Sequence, residues 1–191
     1  MTLCAKQLLR QQIRQSLKQM TNDDRIRQSS FVTKTVLNHP KYLAAQSISI
    51  YLSLNTEIST REIIQHAFQF QKHVFVPRYN SSAMDMVRIY SMNDLDSLPM
   101  TKWNIRQPAL DDNTREIATN QIDLVIVPGL AFSLQGARLG HGKGYYDKYL
   151  SSLSENSYTI GLGFKQQIVE HNQIPMSPTD IYINEILIDN E

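Results

Sequence analysis

A short segment in the last third of the sequence combines glycines with cationic side chains. Residues 136–147 read GARLGHGKGYYD. Glycines and potential cations alternate there, in the order Arg138, Gly140, His141, Gly142, Lys143 and Gly144. Glycine adopts positive φ and lets successive N–H groups turn toward one anion, and a helix that starts near Lys143 adds unpaired N–H groups. The segment predicts a phosphate-binding loop; the alternative interpretation is a tight strand-to-helix turn with solvated charges.

Two common phosphate-binding motifs do not match this segment. A Walker A loop needs a glycine where the chain has Ala137 and a serine or threonine where it has Gly144. The dinucleotide fingerprint is spaced G-x-G-x-x-G, whereas the glycines from Gly140 onward are spaced G-x-G-x-G. The sequence therefore argues against a P-loop NTPase and against a Rossmann dehydrogenase.

The N-terminal segment carries a second group of cations. Lys6, Arg10, Arg14 and Lys18 recur at steps of four, and no acidic residue precedes Asp23. Neighbouring members of such a row share a helix face, and Lys6 and Arg10 form one such pair. The row is either a solvated face or a phosphate clamp that reaches the glycine loop from outside it.

Four other residue types suit a ligand site. Asp147, one turn after Lys143 on the predicted helix, suits Mg²⁺ beside phosphates. Glu57, in a loop, either accepts paired N–H bonds from an amino-pyrimidine edge or is merely solvated. Trp103, the only tryptophan, either stacks on a flat ring or anchors its loop. Tyr145 and Tyr146 either pack the helix or contact the ligand.

Hydrophobic periodicity predicts the elements that must position these residues. Helices are expected over 3–20, from Thr21 or Asn22 to about Asn38, from a Ser59-Thr-Arg-Glu62 capping box to Phe70, and over 144–153. Strands are expected over 47–52, 73–77, 84–90, 122–127, 158–164 and 181–188, with 91–120 irregular. The alternation predicts one domain over 1–191 with a three-layer α/β/α fold and a mostly parallel sheet. Ligands of such sheets bind beyond the carboxyl ends of the strands, where the glycine loop follows the central strand.

Composition limits the classes of protein that need considering. The 191 residues are 41% hydrophobic and 19% charged, which is a globular composition. A net charge of +1 argues against a surface built for nucleic acid or an anionic membrane. The one cysteine, Cys4, allows no intramolecular disulfide. The expectation is a cytoplasmic monomer that binds neither nucleic acid nor membranes, with a mitochondrial presequence as the alternative.

Several segments together resemble one enzyme family. DLVIVPGLAF at 123–132 and RLGHGKGYYD at 138–147 resemble the signature of 5-formyltetrahydrofolate cyclo-ligases, also called 5,10-methenyltetrahydrofolate synthetases. The resemblance extends over nearly the whole chain and is nearer the eukaryotic members. The other matching stretches are SIYLSLNTEIST at 49–60, VPRY at 76–79, MDMVRI at 84–89 and WNIRQP at 103–108.

The resemblance implies an activity and a fold. The reaction would be the ATP- and Mg²⁺-dependent conversion of 5-formyltetrahydrofolate to 5,10-methenyltetrahydrofolate, with release of ADP and phosphate. The formyl oxygen would be phosphorylated and then displaced by attack of N10. The fold would resemble the sugar-phosphate isomerase and CoA-transferase group.

The resemblance also implies roles for individual residues. ATP would be bound by Lys6, Arg10, Arg138, Leu139, Gly140, His141, Gly142, Lys143, Gly144, Tyr145 and Tyr146. Folate would contact Leu52, Glu57, Trp103, His141, Gly142, Lys143, Gly144 and Tyr145, together with Tyr79. Lys143 would also be the catalytic residue, and Asp147 and Asp180 would hold Mg²⁺. His141 stands at a position of the motif where arginine or tyrosine is also found.

Two other functions fit parts of the sequence. A phosphosugar isomerase of similar architecture would bind phosphate at the same loop without ATP. A nucleic-acid-binding or regulatory module would use the basic N-terminal helix, and its binding to DNA or RNA would depend steeply on salt. The net charge of +1 argues against the second.

Overall fold

The architecture is taken from a computed structural model that describes residues 2–101 and 104–190, so Trp103 lies outside the described residues. The helices are α1 (Thr2–Gln19), α2 (Asn22–Leu37), α3 (Pro40–Ala44), α4 (Arg61–Gln69), α5 (Met92–Ser97) and α6 (Tyr145–Ser151). The strands are β1 (Ser47–Ile50), β2 (His73–Tyr79), β3 (Met84–Ile89), β4 (Leu124–Val127), β5 (Ala131–Phe132), β6 (Arg138–Leu139), β7 (Tyr158–Leu162) and β8 (Glu185–Leu187). Two 3₁₀ turns, Lys165–Gln167 and His171–Gln173, precede β8.

The main sheet has six strands in the order β3-β2-β1-β4-β7-β8. All neighbouring pairs are parallel except β2 and β3, which form an antiparallel edge. All four side chains of β4 are buried, as expected of a strand that is covered on both faces. The expected α/β fold with a mostly parallel sheet is confirmed, and β4 lies inside the sheet as its apolar sequence predicts.

The long periodic elements begin and end close to the expected residues. The α2 helix starts after Thr21, whose side-chain oxygen accepts a hydrogen bond from the backbone N–H of Asp24 at 3.1 Å. Pro40 follows the end of α2 and becomes the first residue of α3, where its missing N–H costs nothing. Pro40 therefore starts a short helix that periodicity did not reveal.

The prediction of a capping box at the start of α4 is wrong. The N-cap is Thr60, and no side chain among the described residues caps this helix end. The Thr60 hydroxyl instead donates to the carbonyl oxygen of Tyr51 at 2.7 Å, which ties the helix to the end of β1. The N–H groups in the first turn of α4 consequently lack the side-chain acceptor that the sequence pattern predicted.

A second small sheet, β5 paired with β6, carries the glycine loop and was not expected from the sequence. It packs on the main sheet through Phe132, which is fully buried. A methyl group placed on Gly129 would lie 2.5 Å from the Phe132 ring, and one placed on Gly161 would lie 2.8 Å from it. These two glycines therefore allow close packing against Phe132.

Among the described helices, none combines the length and the apolar character needed to cross a membrane.

The carboxylate of Asp123 joins the start of β4 to the start of β1, and its removal should destabilise the fold. It accepts hydrogen bonds from Gln46 N, Ser47 N and Ser47 Oγ at 2.9, 2.8 and 2.9 Å. Asp123→Ala is expected to lower the free energy of unfolding by about 1 kcal/mol, because these bonds are partly solvent-exposed. Urea unfolding of the wild type and the variant measures the difference, with Asp111→Ala as an exposed control.

The effect of Asp123→Ala should depend on pH. Burial alone would raise the pKa of Asp123, but the hydrogen bonds from Ser47 and Gln46 lower it below its ordinary value. A carboxylate with a lowered pKa in the folded state stabilises above its unfolded pKa of about 3.9 and ceases to do so as the pH falls through the folded value. The destabilisation should be complete at about pH 7 and shrink below about pH 4. A difference that grows on acidification would contradict this role.

Candidate active site

The glycine loop lies beyond the carboxyl end of β4, between β6 and α6. Gly142 has φ +108° and Gly144 has φ +69°, so both adopt the conformation that glycine allows. No described atom lies within 4 Å of a methyl group placed on Gly144. His141 and Lys143 between these glycines are exposed. The loop therefore leaves space at Gly144 and exposes the side chains of His141 and Lys143.

Lys143 is a free cation at this position. Within residues 2–101 and 104–190 it makes no hydrogen bond and no ion pair. The α6 helix begins at Tyr145 with Gly144 as its N-cap, so Lys143 precedes the helix instead of lying on it. The expectation that Lys143 and Asp147 share a helix face is therefore corrected.

The N-terminal helix reaches the glycine loop. Arg10 Nε donates to the carbonyl oxygen of Gly140 at 2.9 Å. The Arg10 guanidinium carbon lies 3.6 Å from the position of a methyl group on Gly142. Lys6 Nζ pairs with Asp180 Oδ2 at 2.5 Å. The contacts of Arg10 favour the clamp interpretation for that residue, while Lys6 is held in an ion pair and is not part of a solvated face.

Charged side chains of both signs lie near Arg10. Burial lowers the pKa of Arg10, Arg14 lowers it further, and Asp180 raises it. Arg10 thus lies near a second cation and near the carboxylate that holds Lys6. An anion bound at the loop would add the negative charge that this cluster lacks.

Arg138 has a different position from the other loop cations. Its side chain is only 4% exposed, and Nη2 donates to Asp147 Oδ1 at 2.6 Å. Its guanidinium also lies 5.8 Å from the centre of the Tyr146 ring. Arg138 therefore lies beneath the loop, where it fixes the first turn of α6. Only His141 and Lys143 of the three loop cations are exposed.

Glu57 forms the opposite wall of the candidate site. Its side chain is 9% exposed, and Oε1 lies 3.5 Å from His141 Nε2. Oε2 accepts a hydrogen bond from the backbone N–H of Leu54 at 2.9 Å. The structure thus brings the carboxylate predicted for a pterin edge to the rim of the glycine loop, with Leu52 half-buried at the end of β1.

Phenol side chains surround Glu57 and the first turn of α6. Burial raises the pKa of Tyr51, Tyr79 and Tyr146, and the charge of Glu57 raises each further. The rings of Tyr79 and Tyr145 lie 5.3 Å apart, and the Tyr145 hydroxyl donates to Asn80 O at 3.0 Å. Tyr51, Tyr79 and Tyr146 therefore remain neutral at ordinary pH, and Glu57 supplies the negative charge of this wall.

Asp147 and Asp180, the expected metal ligands, are each engaged by a cation. Asp147 pairs with Arg138 through Oδ1, and Asp180 pairs with Lys6 through Oδ2. Asp180 Oδ2 also accepts hydrogen bonds from Ser177 N and Oγ at 2.6 and 2.8 Å. Burial alone would raise the pKa of Asp180, but these partners lower it.

Each of the two carboxylates keeps one oxygen, Oδ2 of Asp147 and Oδ1 of Asp180, without a hydrogen-bond partner in the described part of the chain. That part contains no group of three or more His, Cys, Asp or Glu side chains that could hold a metal. A metal here would therefore need phosphate oxygens as further ligands.

Sequence reasoning missed two supporting residues. Ser177 orients Asp180, and a Ser-x-x-Asp spacing between a proline and a strand was the available signal. Tyr51 lies behind the Glu57 loop and donates its hydroxyl to Ile58 O at 3.0 Å. Nothing in the sequence distinguishes Tyr51 from an ordinary core residue.

Comparisons with known proteins show relatives over nearly the whole chain. The model of the 5-formyltetrahydrofolate cyclo-ligase family matches residues 3–189. A mouse protein named 5-formyltetrahydrofolate cyclo-ligase is 40% identical over 97% of this chain and 94% of its own. A Caenorhabditis elegans protein named probable 5-formyltetrahydrofolate cyclo-ligase is 37% identical over 97% and 93%.

A solved structure supports the fold. The structure of Aquifex aeolicus 5,10-methenyltetrahydrofolate synthetase is similar with a TM-score of 0.78, covers 96% of this chain and 88% of its own, and is 22% identical. The family match spans the sheet, the N-terminal helix and the glycine loop. The chain belongs to the 5-formyltetrahydrofolate cyclo-ligase family.

Proposed function

We propose that the chain catalyses the ATP-dependent cyclisation of 5-formyltetrahydrofolate to 5,10-methenyltetrahydrofolate, with release of ADP and phosphate. The observation that carries the proposal is the exposed, unpartnered Lys143 on a glycine loop between two unlike walls. Arg10 on one side suits phosphates. Glu57 on the other side suits the N–H groups of a pterin. Family membership supports the same substrate and reaction.

The phosphates of ATP are proposed to lie between the loop and α1. The backbone of Gly142 and Gly144 gives close approach, and Lys6 and Arg10 supply positive charge from the helix. Lys143 is proposed to neutralise the transferring phosphoryl group, because its exposed flexible stem can follow the charge as it moves. Phosphoryl transfer depends on positioning and charge, so the loop needs no covalent nucleophile.

The folate is proposed to lie against Glu57 and Leu52. One oxygen of Glu57 is held by Leu54 N, while the other lies 3.5 Å from the exposed His141, its one partner among the described residues. Pterin N–H donors would take the place of His141 at that oxygen. The Tyr79 and Tyr145 rings offer apolar faces beside it.

The proposed chemistry proceeds in two steps. The formyl oxygen attacks the γ-phosphorus, a P–O bond forms, and the P–O bond to ADP breaks. N10 then attacks the formyl carbon, the C–O bond to the phosphoryl group breaks, phosphate departs, and N10 loses its proton. The cations of the loop and of α1 stabilise negative charge in the first step and the departing phosphate in the second.

Mg²⁺ is proposed to bind the free oxygens of Asp147 and Asp180, with phosphate oxygens as its remaining ligands. The metal would neutralise phosphate charge. Asp147→Asn is expected to weaken Mg²⁺ binding. The Mg²⁺ concentration that gives half of the full Mg²⁺ effect on ATP affinity should rise about fivefold or more. Calorimetric ATP titrations at a series of Mg²⁺ concentrations measure this, and Asp111→Asn is the control.

Loss of Asp147 also leaves Arg138 without its partner, so the unfolding midpoint of Asp147→Asn must be measured in parallel. If a folded variant needs the same Mg²⁺ concentration for half of the effect on ATP affinity, Asp147 is not a metal ligand.

A direct assay tests the proposed function. Purified chain, Mg²⁺, ATP and 5-formyltetrahydrofolate are mixed, and the absorbance of the methenyl product is followed. The expected result is a signal that requires both ATP and enzyme. A correctly folded chain that gives no ATP-dependent signal would refute the proposal.

The proposal includes monomeric action in the cytoplasm. Cys4 is exposed and the described residues hold no other cysteine, which suits a reducing compartment. Chromatographic mass and cell fractionation test these two points.

A further inference from the structure

A cleft beside the candidate folate wall has no part in the function described so far. It has a volume of 230 Å³ and lies between the β1–α4 loop, α4, α5 and the segment that follows α5. Its apolar surface comes from Leu52, Ile64, Leu95 and Ile105, and its rim carries Arg61 and Arg106. This surface is called the α4–α5 cleft. Leu52 belongs both to the cleft and to the expected folate wall, so the two adjoin at this residue.

Arg106 brings a positive charge and unused hydrogen-bond donors to the α4–α5 cleft. Its Nη1 donates to Leu98 O at 2.8 Å, which fixes the guanidinium, and its Nε and Nη2 have no partner among the described residues. Arg61 differs, since its Nη1 and Nη2 both donate to Asp96 at 2.7 Å. The hydrogen bonds from Arg61 chiefly, and more weakly the charge of Arg106, lower the pKa of Asp96. Arg106 makes no hydrogen bond to Asp96 among the described residues, so its two open donors are available to an anion.

The start of α4 adds to the same positive potential. Thr60 and Arg61 line the cleft, and the α4 N-terminus lacks a side-chain cap within the described part of the chain. Its unpaired N–H groups attract a carboxylate. Glu62, the acidic residue of this turn, is exposed and does not line the cleft. The missing cap and the two open donors of Arg106 are independent observations that both favour an anionic ligand.

The size of the cleft suits one end of a ligand. Whole drug-sized ligands occupy pockets of about 300–1,000 Å³, and this cleft is smaller, at 230 Å³. Building on the proposed function, the ligand already at Leu52 would be 5-formyltetrahydrofolate, whose pterin is followed by an aromatic amide ring and a glutamate. We infer that the α4–α5 cleft binds this second end, with the ring against Leu52 and Ile64 and a glutamate carboxylate on Arg106.

Binding measurements with two ligands test this inference. One ligand is 5-formyltetrahydrofolate, and the other is 5-formyltetrahydropteroate, which lacks the glutamate. Arg106→Gln is expected to weaken binding of the first about fivefold to tenfold, because one half-exposed charged contact is lost. Binding of the second, and of ATP, should change by less than about twofold. Arg88→Gln, on β3 and outside the cleft, should leave all three affinities unchanged.

Two further observations separate binding from folding. Arg106→Lys keeps the charge and should retain most of the affinity for 5-formyltetrahydrofolate. The unfolding midpoint of Arg106→Gln is measured in parallel, since it loses the bond to Leu98 O. Unchanged affinity for the glutamate-bearing ligand would overturn the inference. An equal loss for both ligands would do the same.

The binding readout is independent of turnover. A wild-type chain that binds 5-formyltetrahydrofolate without cyclising it refutes the proposed function, while the ratio of the two affinities still decides the role of Arg106. A chain that cyclises the substrate normally but shows no difference between the two ligands overturns only the inference. A wild-type chain that binds neither ligand overturns both.

Discussion

Lys143→Ala is expected to lower kcat by roughly a thousandfold or more, because it removes the cation assigned to the transferring phosphoryl group. The fold should be unaffected, since Lys143 is exposed and has no partner among the described residues. Methenyl formation at saturating ATP and 5-formyltetrahydrofolate measures kcat. Urea unfolding of the same sample should give the wild-type midpoint.

Lys148→Ala is the matched control for this variant. Lys148 is also exposed, lies on α6, and makes no side-chain hydrogen bond or ion pair within the described ranges. Its loss should change kcat by less than about twofold, because an exposed charge away from the reacting atoms contributes little. Near-normal turnover by Lys143→Ala would show that the phosphoryl charge is neutralised elsewhere. A shifted unfolding midpoint would show a structural role instead.

Gly136→Ala is expected to destabilise the chain by about 3 kcal/mol or more. Gly136 has φ +89°, and a methyl group there would lie 2.2 Å from the carbonyl oxygen of Ile183. This neighbour is backbone, and Ile183 N donates to Gly136 O at 2.8 Å, so it cannot move aside without losing that bond. Urea unfolding should show a lower midpoint with little change in slope.

Gly144→Ala separates strain from steric conflict. Gly144 also has a positive φ, +69°, but no described atom lies within 4 Å of the added methyl group. Its cost should be about 1 kcal/mol, from backbone strain alone. If Gly136→Ala and Gly144→Ala lose the same free energy of unfolding, the backbone at Ile183 moves away from the added methyl group without destabilising the fold.

Local pattern predicted the long elements and the central strand well. α1 and α2 repeat their apolar residues at helical spacing, and β4 is an unbroken apolar run. α5 was missed because it is six residues long and lies in a polar segment. Its signal was present, since Ser91 Oγ accepts from Asp94 N at 3.0 Å, but one cap cannot outweigh an absent apolar stripe.

The site was predictable as a set of residue types but not as a geometry. The sequence shows Arg138, His141 and Lys143 as three equivalent cations, yet only the fold shows that Arg138 points inward to Asp147. The same limit applies to α4, where Ser59 and Glu62 have the spacing of a capping box that does not form. Local sequence could not show that the Thr60 hydroxyl bonds to the end of β1 instead.

The contact between Lys6 and Asp180 joins residues 174 positions apart. A chain is synthesised from its N-terminus at about 5–20 residues per second. During synthesis α1 therefore exists for many seconds before its carboxylate partner emerges from the ribosome. The glycine loop, too, emerges long after the helix that it contacts through Arg10. Until the segment that contains Asp180 has emerged, a ribosome-bound nascent chain lacks part of the proposed phosphate site, and nucleotide binding of the kind proposed must await the synthesis of that segment.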